Sequence, residues 1–436
     1  MTERGRRILD LKPHEIDMIM SHPVQKRTVA LVADLITQLR AARNSADLYA
    51  FQRDLLDATL EAQGRQADAT RSLRRERHGR ATPSATSGDW TVEQRVWDRV
   101  VRQLRTVGDA LAWRVFNFDR RFITVLSANS PVSPMTGKTG LAREIEEVER
   151  RWHSLRQFSL LHDLTSVIRI GDVTVLTPDG PRLAEIKVNP ANRRAGQTRR
   201  AERAIAILSG GAPIVTDAEE LDLLASATQF STHLPSVGKA IEAADREGIA
   251  WVRIARQLVV AAVSLEAGAR LGFEDCQAAA TLRKERAFQK AEMHTTAHHL
   301  QGDRMDTHTR DRGLAPYTIY PFPPEVCARL TADYLVLKSV IGWDRIADAF
   351  RDLGYEASCP FEGCDGQMTL DTPVVNLAKG DRTMTLHAWG LQQVQFEFLT
   401  TERFASGVDE MWNCDLGSSD RRSGVLTFGN EKGTWR

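Results

Sequence analysis

Residues 162–205 read HDLTSVIRIGDVTVLTPDGPRLAEIKVNPANRRAGQTRRAERAI, and the fold turns on this stretch. The runs SVIRIGDVTVL and PRLAEIKV are rich in β-branched residues and flank Thr177-Pro178-Asp179-Gly180. Proline, aspartate and glycine together favour a tight turn, so the two runs are expected to be adjacent strands. Asp172 follows Gly171 within the first run. Glu185 and Lys187 stand two positions apart on the second, and such side chains point to one face of a sheet. The turn then places Asp172 and Glu185 as neighbours, with Lys187 beside them. Both runs are too apolar for a solvated hairpin, so these charges belong to a covered sheet.

Two carboxylates about 4 Å apart repel by about 1 to 4 kcal/mol at effective dielectrics of about 80 to 20. A divalent cation removes that repulsion, and Mg²⁺ takes carboxylate oxygens with waters completing its octahedron. Lys187 can orient or deprotonate a metal-bound water, or stabilise charge on a phosphate. Only ten of the 58 basic residues are lysine. Against that arginine-rich background a lysine here is less incidental, and a compact ammonium suits the place better than a guanidinium. Downstream, GQTRRAERAIAIL reads as a basic helix. Arg193, Arg194, Arg199, Arg200 and Arg203 could position phosphates there without reading sequence. Upstream, TGLAREIEEVERRWHSLRQF reads as a helix opened by Thr139, with Glu146 and Glu149 at helical spacing. Asp163 lies in the loop that follows.

This arrangement resembles the PD-(D/E)XK nuclease superfamily, whose core is a helix, three or four mixed strands and a second helix. The family's first acid falls on Asp172 in Ile170-Gly171-Asp172-Val173, and its tripeptide on Glu185-Ile186-Lys187. The Gln-x-x-Arg pattern of the following helix falls on Gln197 and Arg200. The likeness covers residues 140 to 210, and residue 171 is glycine where the family has proline. The tripeptide alone says little, since Asp10-Leu11-Lys12 also fits it; the conjunction carries the resemblance. It implies a restriction-endonuclease-like α/β core with a mixed central sheet, and metal-dependent hydrolysis of phosphodiesters. The Mg²⁺ or Mn²⁺ site would use Asp172, Glu185 and Ile186, completed by Glu146, Glu149 or Asp163. Lys187 and Gln197 would join Asp172 and Glu185 in catalysis, with DNA a better substrate than RNA. Bacterial defence against foreign DNA is a setting by analogy with the family, in which a second copy of the chain or other defence proteins are further candidate partners. The competing class is a non-catalytic nucleic-acid-binding or regulatory module on the same fold.

The rest of the chain sets the frame. Its 436 residues suggest two to four domains at about 150 residues each. With 58 basic and 57 acidic residues, neither a uniformly basic coat nor an acidic tail is present. Five cysteines are too few for a disulfide framework. The charged amino terminus has no apolar run, and the uncharged stretch between Arg256 and Glu266 falls far short of the roughly 20 residues a membrane span needs. A soluble, cytoplasmic protein is expected.

The organisation reads as a multidomain α+β chain. Residues 1–62 form a helical region and 63–89 a basic flexible linker. The nuclease-like core with its preceding helices spans 90–235, including a strand candidate in RFITVLSA at 121–128. Residues 236–310 read as helical. Residues 311–436 form an α/β domain, β-rich where MTLHAWG and QVQFEFLT alternate at period two. Gly137-Lys138-Thr139 matches the end of a phosphate-binding loop, but its first glycine would fall on Val132, so nucleotide hydrolysis is not expected. Cys359 and Cys364 with His387 or Cys414 are too scattered for a zinc site, and His294 and His298 in HTTAH lack the glutamate of a zinc protease.

Overall fold

The computed structural model describes residues 13–77, 87–127, 135, 137–138, 140–178, 180–186, 204, 214–215, 220–225, 231–293, 299–303, 314–360, 373–413 and 423–427. The chain divides into two units, one holding Met1–Ile214 with Ala315–Asp333, the other Val215–Leu314 with Tyr334–Lys432. Both mix helices with small, chiefly antiparallel sheets. No helix among the described residues is long and apolar enough to cross a membrane.

In the first unit, α1 (Pro13–Ser21), α2 (Pro23–Ala41), α3 (Ser45–Arg77) and α4 (Ser87–Val115) precede α5 (Arg120–Leu126) and α6 (Leu141–Leu155). Pro23 occupies the first turn of α2, whose apolar stripe buries Val32, Leu35, Ile36 and Leu39. Asn44 caps α3, its Oδ1 accepting from the amides of Ala46 (2.8 Å) and Asp47 (3.0 Å). The linker expected from residue 63 is corrected here: α3 continues to Arg77. Ala, Gln and Arg are strong helix formers, and polarity alone does not break a helix. The extra turns also have a packed face. Gln63 and Ala69 are buried, Gln66 hydrogen-bonds Asp98, and Gln94 Nε2 donates to Thr70 Oγ1 at 3.3 Å. The helical segment is therefore no separate amino-terminal domain but part of the site-bearing unit.

The strand expected at 121–128 is instead α5. Ile123 and Leu126 are fully buried while Phe122 stacks on Phe116, a three-residue spacing that belongs to a helix. Ala315–Asp333, expected in the carboxy-terminal domain, belongs to this unit because arginines grip its backbone. Arg40 donates to the carbonyls of Tyr320 (2.6 Å) and Phe322 (2.7 Å), and Arg99 to that of Ala332 (2.8 Å).

The site-bearing sheet has three strands, β1 (Ser159–Leu161), β2 (Val173–Thr177) and β3 (Gly180–Ala184), in that order and antiparallel. Thr177 pairs with Gly180 at the tight turn, as the sequence suggested. The outer edge of β1 is closed by one side chain. Gln52 of α3 donates to the Ser159 carbonyl (2.9 Å) and accepts from the Leu161 amide (3.0 Å). Buried edge groups are thereby satisfied without a fourth strand. Among the described residues this sheet has no parallel pair, and the basic helix after residue 189 lies outside them.

In the second unit, four antiparallel strands run in the order Ile249–Ala255, Leu258–Ser264, Leu335–Gly342, His299–Asp303. Residues 249–264 were expected to be helical. They form a hairpin, turning at Gln257 with φ of 51°; its second strand, Leu258–Ser264, is apolar and buried on both faces and so reads alike in either periodicity. The segment Gln392–Phe396, expected in a strand, is a short helix whose Val394 and Phe396 are buried; Arg382–His387 is the strand. Residues 311–436 are thus not a domain of their own. Trp343 is ordinary packing, fully buried with Phe350, Leu391 and Leu399.

One glycine controls how α4 meets the loop after β1. A Cβ on Gly108 would lie 2.0 Å from the Leu164 carbonyl oxygen. Gly108→Ala should therefore lower unfolding stability by at least about 2 kcal/mol, read from the urea midpoint, because backbone rather than a flexible side chain must move.

Candidate functional site

The open end of the β2–β3 hairpin carries the sequence's chief candidates. Asp172 immediately precedes β2, and Glu185 immediately follows β3. The Asp172 amide donates to the Ala184 carbonyl (3.1 Å), and its own carbonyl accepts from the His162 amide (3.1 Å). The Asp172 carboxylate accepts from the Ile186 amide at 2.7 Å through Oδ2. Asp172, Glu185 and Ile186 are thus brought to one strand end, the first two as the final residues flanking the ladder. Gly171 has φ of +78°, a conformation closed to proline, whose φ is fixed near −65°. That accounts for glycine where the resembled family has proline. Lys187, Gln197, Arg193, Arg194, Arg199, Arg200 and Arg203 lie outside the described residues.

The structure turns a different acid of the helix inward. Glu146 is exposed, and Glu149 forms an ion pair with Arg53 of α3. The buried face of α6 carries Leu141, Glu144 and Val148. At about 100° per residue, positions 146 and 149 point about 160° and 140° away from Glu144. Glu144 is 2% exposed. Lys138 reaches it with Nζ 2.9 Å from Oε1 and 3.0 Å from Oε2, and reaches Asp163 Oδ2 at 2.8 Å. Asp163, the third candidate from the sequence, therefore shares one ammonium with Glu144. The signal for Glu144 was available as an acid at i+3 on the apolar stripe Leu141, Val148. In the sequence Lys138 stands out only as part of an incomplete phosphate loop.

Electrostatics ties these groups to Asp172. Burial pushes the Glu144 carboxyl up to about 7; the hydrogen bond and charge of Lys138 oppose the rise, and the charges of Asp163 and Asp172 add to it. Burial draws the Lys138 ammonium down, but hydrogen bonds to Asp163 and Glu144 outweigh it and leave it above the ordinary lysine value. His162, in the turn between β1 and β2, is 3% exposed and is pushed down to about 4, chiefly by burial. It is neutral at pH 7. Its Nδ1–H donates to the Gly171 carbonyl (3.0 Å), so Nε2 accepts from the Thr174 hydroxyl (2.7 Å). This ring ties the Gly171 carbonyl before Asp172 to the Thr174 hydroxyl after it. A second brace comes from α4, where the buried Asp109 carboxylate accepts from the amides of Ser166 (2.6 Å) and Val167 (3.0 Å).

The side-chain donors here are carboxylate oxygens, to which Ile186 could add only its backbone carbonyl, the oxygen chemistry hard divalent cations select. Among the described residues, no three His, Cys, Asp or Glu side chains converge as a metal-ligand group. An ammonium stands instead between Glu144 and Asp163, marking a place where positive charge is favoured. The donor set fits Mg²⁺ or Mn²⁺, and Asp172, Glu185 and Ile186, with Glu144 from α6, are the residues that would hold it. Compared with known protein families, curated proteins and solved structures, the chain matches none.

Glu144 and His162 give opposite pH dependences. The Glu144 carboxyl rises from 4.5 to about 7 on folding, so the folded state holds the extra proton and stability falls as pH rises through that window. The His162 ring drops from 6.5 to about 4, so the unfolded state holds the extra proton and stability climbs with pH across that range. Where the windows overlap the slopes offset one another. In Glu144→Gln the falling component is gone, so denaturant midpoints measured with chelator at pH 5 and 6 should climb more steeply than in the parent.

Proposed function

We propose that this protein is a metal-dependent nuclease that hydrolyses phosphodiester bonds, of DNA in preference to RNA. The observation that carries this reading is the Asp172 carboxylate held by the Ile186 amide at the strand end where Glu185 emerges, within electrostatic reach of the buried Glu144. That juxtaposition sets Asp172 and Glu185 at one end of the hairpin, with the charge of Asp172 felt by the buried Glu144 of the helix.

Mg²⁺ or Mn²⁺, when bound, supplies positive charge to the phosphate and favours ionised oxygen at neutral pH. The chain's residues do the rest. Asp172 and Glu185 bind the cation, with Ile186 between Glu185 and Lys187 orienting the Asp172 carboxylate through its amide. His162 fixes the backbone that presents Asp172. Glu144, poised near neutrality, can hold or release a proton at its carboxylate. Lys187 brings an ammonium for charge developing on the phosphate, Gln197 steadies the site, and the arginines from Arg193 to Arg203 contact the backbone phosphates. A cytoplasmic role in defence against foreign DNA suits such an activity.

One observation favours a second reading, a non-catalytic nucleic-acid module on the same fold: the Lys138 ammonium already stands between the Glu144 and Asp163 carboxylates, where a cation would sit. A cleavage assay separates the two, using plasmid, linear and single-stranded DNA and RNA across Mg²⁺ and Mn²⁺ titrations. Asp172→Asn keeps an acceptor for the Ile186 amide but loses the charge. It should reduce cleavage by about a thousandfold or more while nucleic-acid binding persists. Nucleic acid left intact under every ion, with binding indifferent to metal and to this substitution, would establish the module instead.

A further inference from the structure

The loop before α6 and the turn after β1 meet through one side chain. Lys138 Nζ lies 2.9 and 3.0 Å from the two carboxylate oxygens of Glu144 and 2.8 Å from Asp163 Oδ2. Glu144 is fully enclosed by protein, with 3% of its side chain exposed; Asp163 is at 21% and Lys138 at 31%. The ammonium is thus the outermost member of the group, seated over the acids rather than beneath them. Its backbone is tied down on both sides: the Lys138 amide donates to Met135 and its carbonyl accepts from Leu141, at 3.1 and 3.3 Å. Gly137, with φ of +86°, permits the bend that swings residue 138 onto the acids. The four-carbon stem can move the head group without moving that backbone. A second cation, Arg105, contributes positive charge at Asp163, so Asp163 keeps a favourable neighbour if the ammonium leaves. At Glu144, among the described residues, the charges that act most strongly are those of Lys138, Asp163 and Asp172, and of these Lys138 alone is positive.

We infer that Lys138 is a displaceable internal counter-ion, holding Glu144 and Asp163 in the metal-free protein and yielding Glu144 to a divalent cation that binds with Asp172. This rests on the metal-dependent reading above and adds a regulation to it: metal must compete with a resident ammonium, which weakens its apparent affinity. Two charges compete for one carboxylate. A divalent cation held by several carboxylates outbids a monovalent one held by two, provided enough metal is present. Lys138 is a positioning residue in this scheme, since it acts on the acids and not on the substrate.

Calorimetric titration of the full chain with MnCl₂ tests it. Lys138→Met should bind Mn²⁺ about tenfold tighter or more than the parent, and Lys138→Gln, which retains hydrogen bonding without charge, should follow it should the methionine variant fail to fold. Unchanged or weaker binding in a folded variant overturns the displacement, because a purely structural lysine would not restrain the metal. The parent protein supplies a second readout. Amine acylation followed by peptide mass spectrometry should show Lys138 labelled several-fold faster with MgCl₂ than with chelator, and equal rates would sink the proposal. The failures are distinguishable. Mn²⁺ binding that depends on Asp172 but ignores Lys138 leaves the nuclease reading standing and removes only the counter-ion. No binding in any variant removes both.

Discussion

Glu144 is a carboxylate shut away from water, and such a charge persists only where an opposite charge is held against it. The ammonium of Lys138 does this, and in doing so it pins three separate pieces of chain: the bend at Gly137, the first turn of α6 and the turn that carries Asp163. Removing either partner leaves the other without its compensating contact, which is why burial and charge cannot be varied independently here. The same enclosure that raises the Glu144 carboxyl also lets it sense Asp172, so the helix and the hairpin end are coupled electrostatically.

The hairpin end is held by ordinary backbone chemistry. His162 contributes its amide to Asp172 and both ring nitrogens to the residues around it, and burial keeps the ring neutral so that this donor–acceptor pattern is maintained. The loop between β1 and β2 has a further anchor in Asp109, whose carboxylate takes two backbone amides and the Ser166 hydroxyl. Gly108, one residue earlier, lets that loop lie directly on α4. A carboxylate positioned by packed elements and satisfied hydrogen bonds is better suited to binding or chemistry than one on an exposed loop. The long helices α3 and α4 are therefore the platform of the site. Gln52, Arg53 and Gln63 from α3 each reach into the site-bearing segment, to β1, to Glu149 and to Met135.

The sequence by itself determined the hairpin and the residues at its end. The turn Thr177-Pro178-Asp179-Gly180 has one favoured geometry, and strand alternation then leaves Asp172 and Glu185 no choice but the same end. It also determined α2 and α6 as helices, since their apolar residues recur at three and four. What it misjudged were segments in which two periodicities fit the same letters. Residues 258–264 are apolar and buried on both faces, and residues 63–77 are mostly polar, so neither pattern reports which face meets a neighbour. Tertiary structure decided those, by offering the first a sheet to join and the second a partner helix. It alone turned Glu144 inward and left Glu146 exposed, because which acid faces inward depends on how α6 is rotated against the core. It alone brought Lys138 to Asp163, 25 positions along the chain, because a long-range ion pair has no local spacing to betray it.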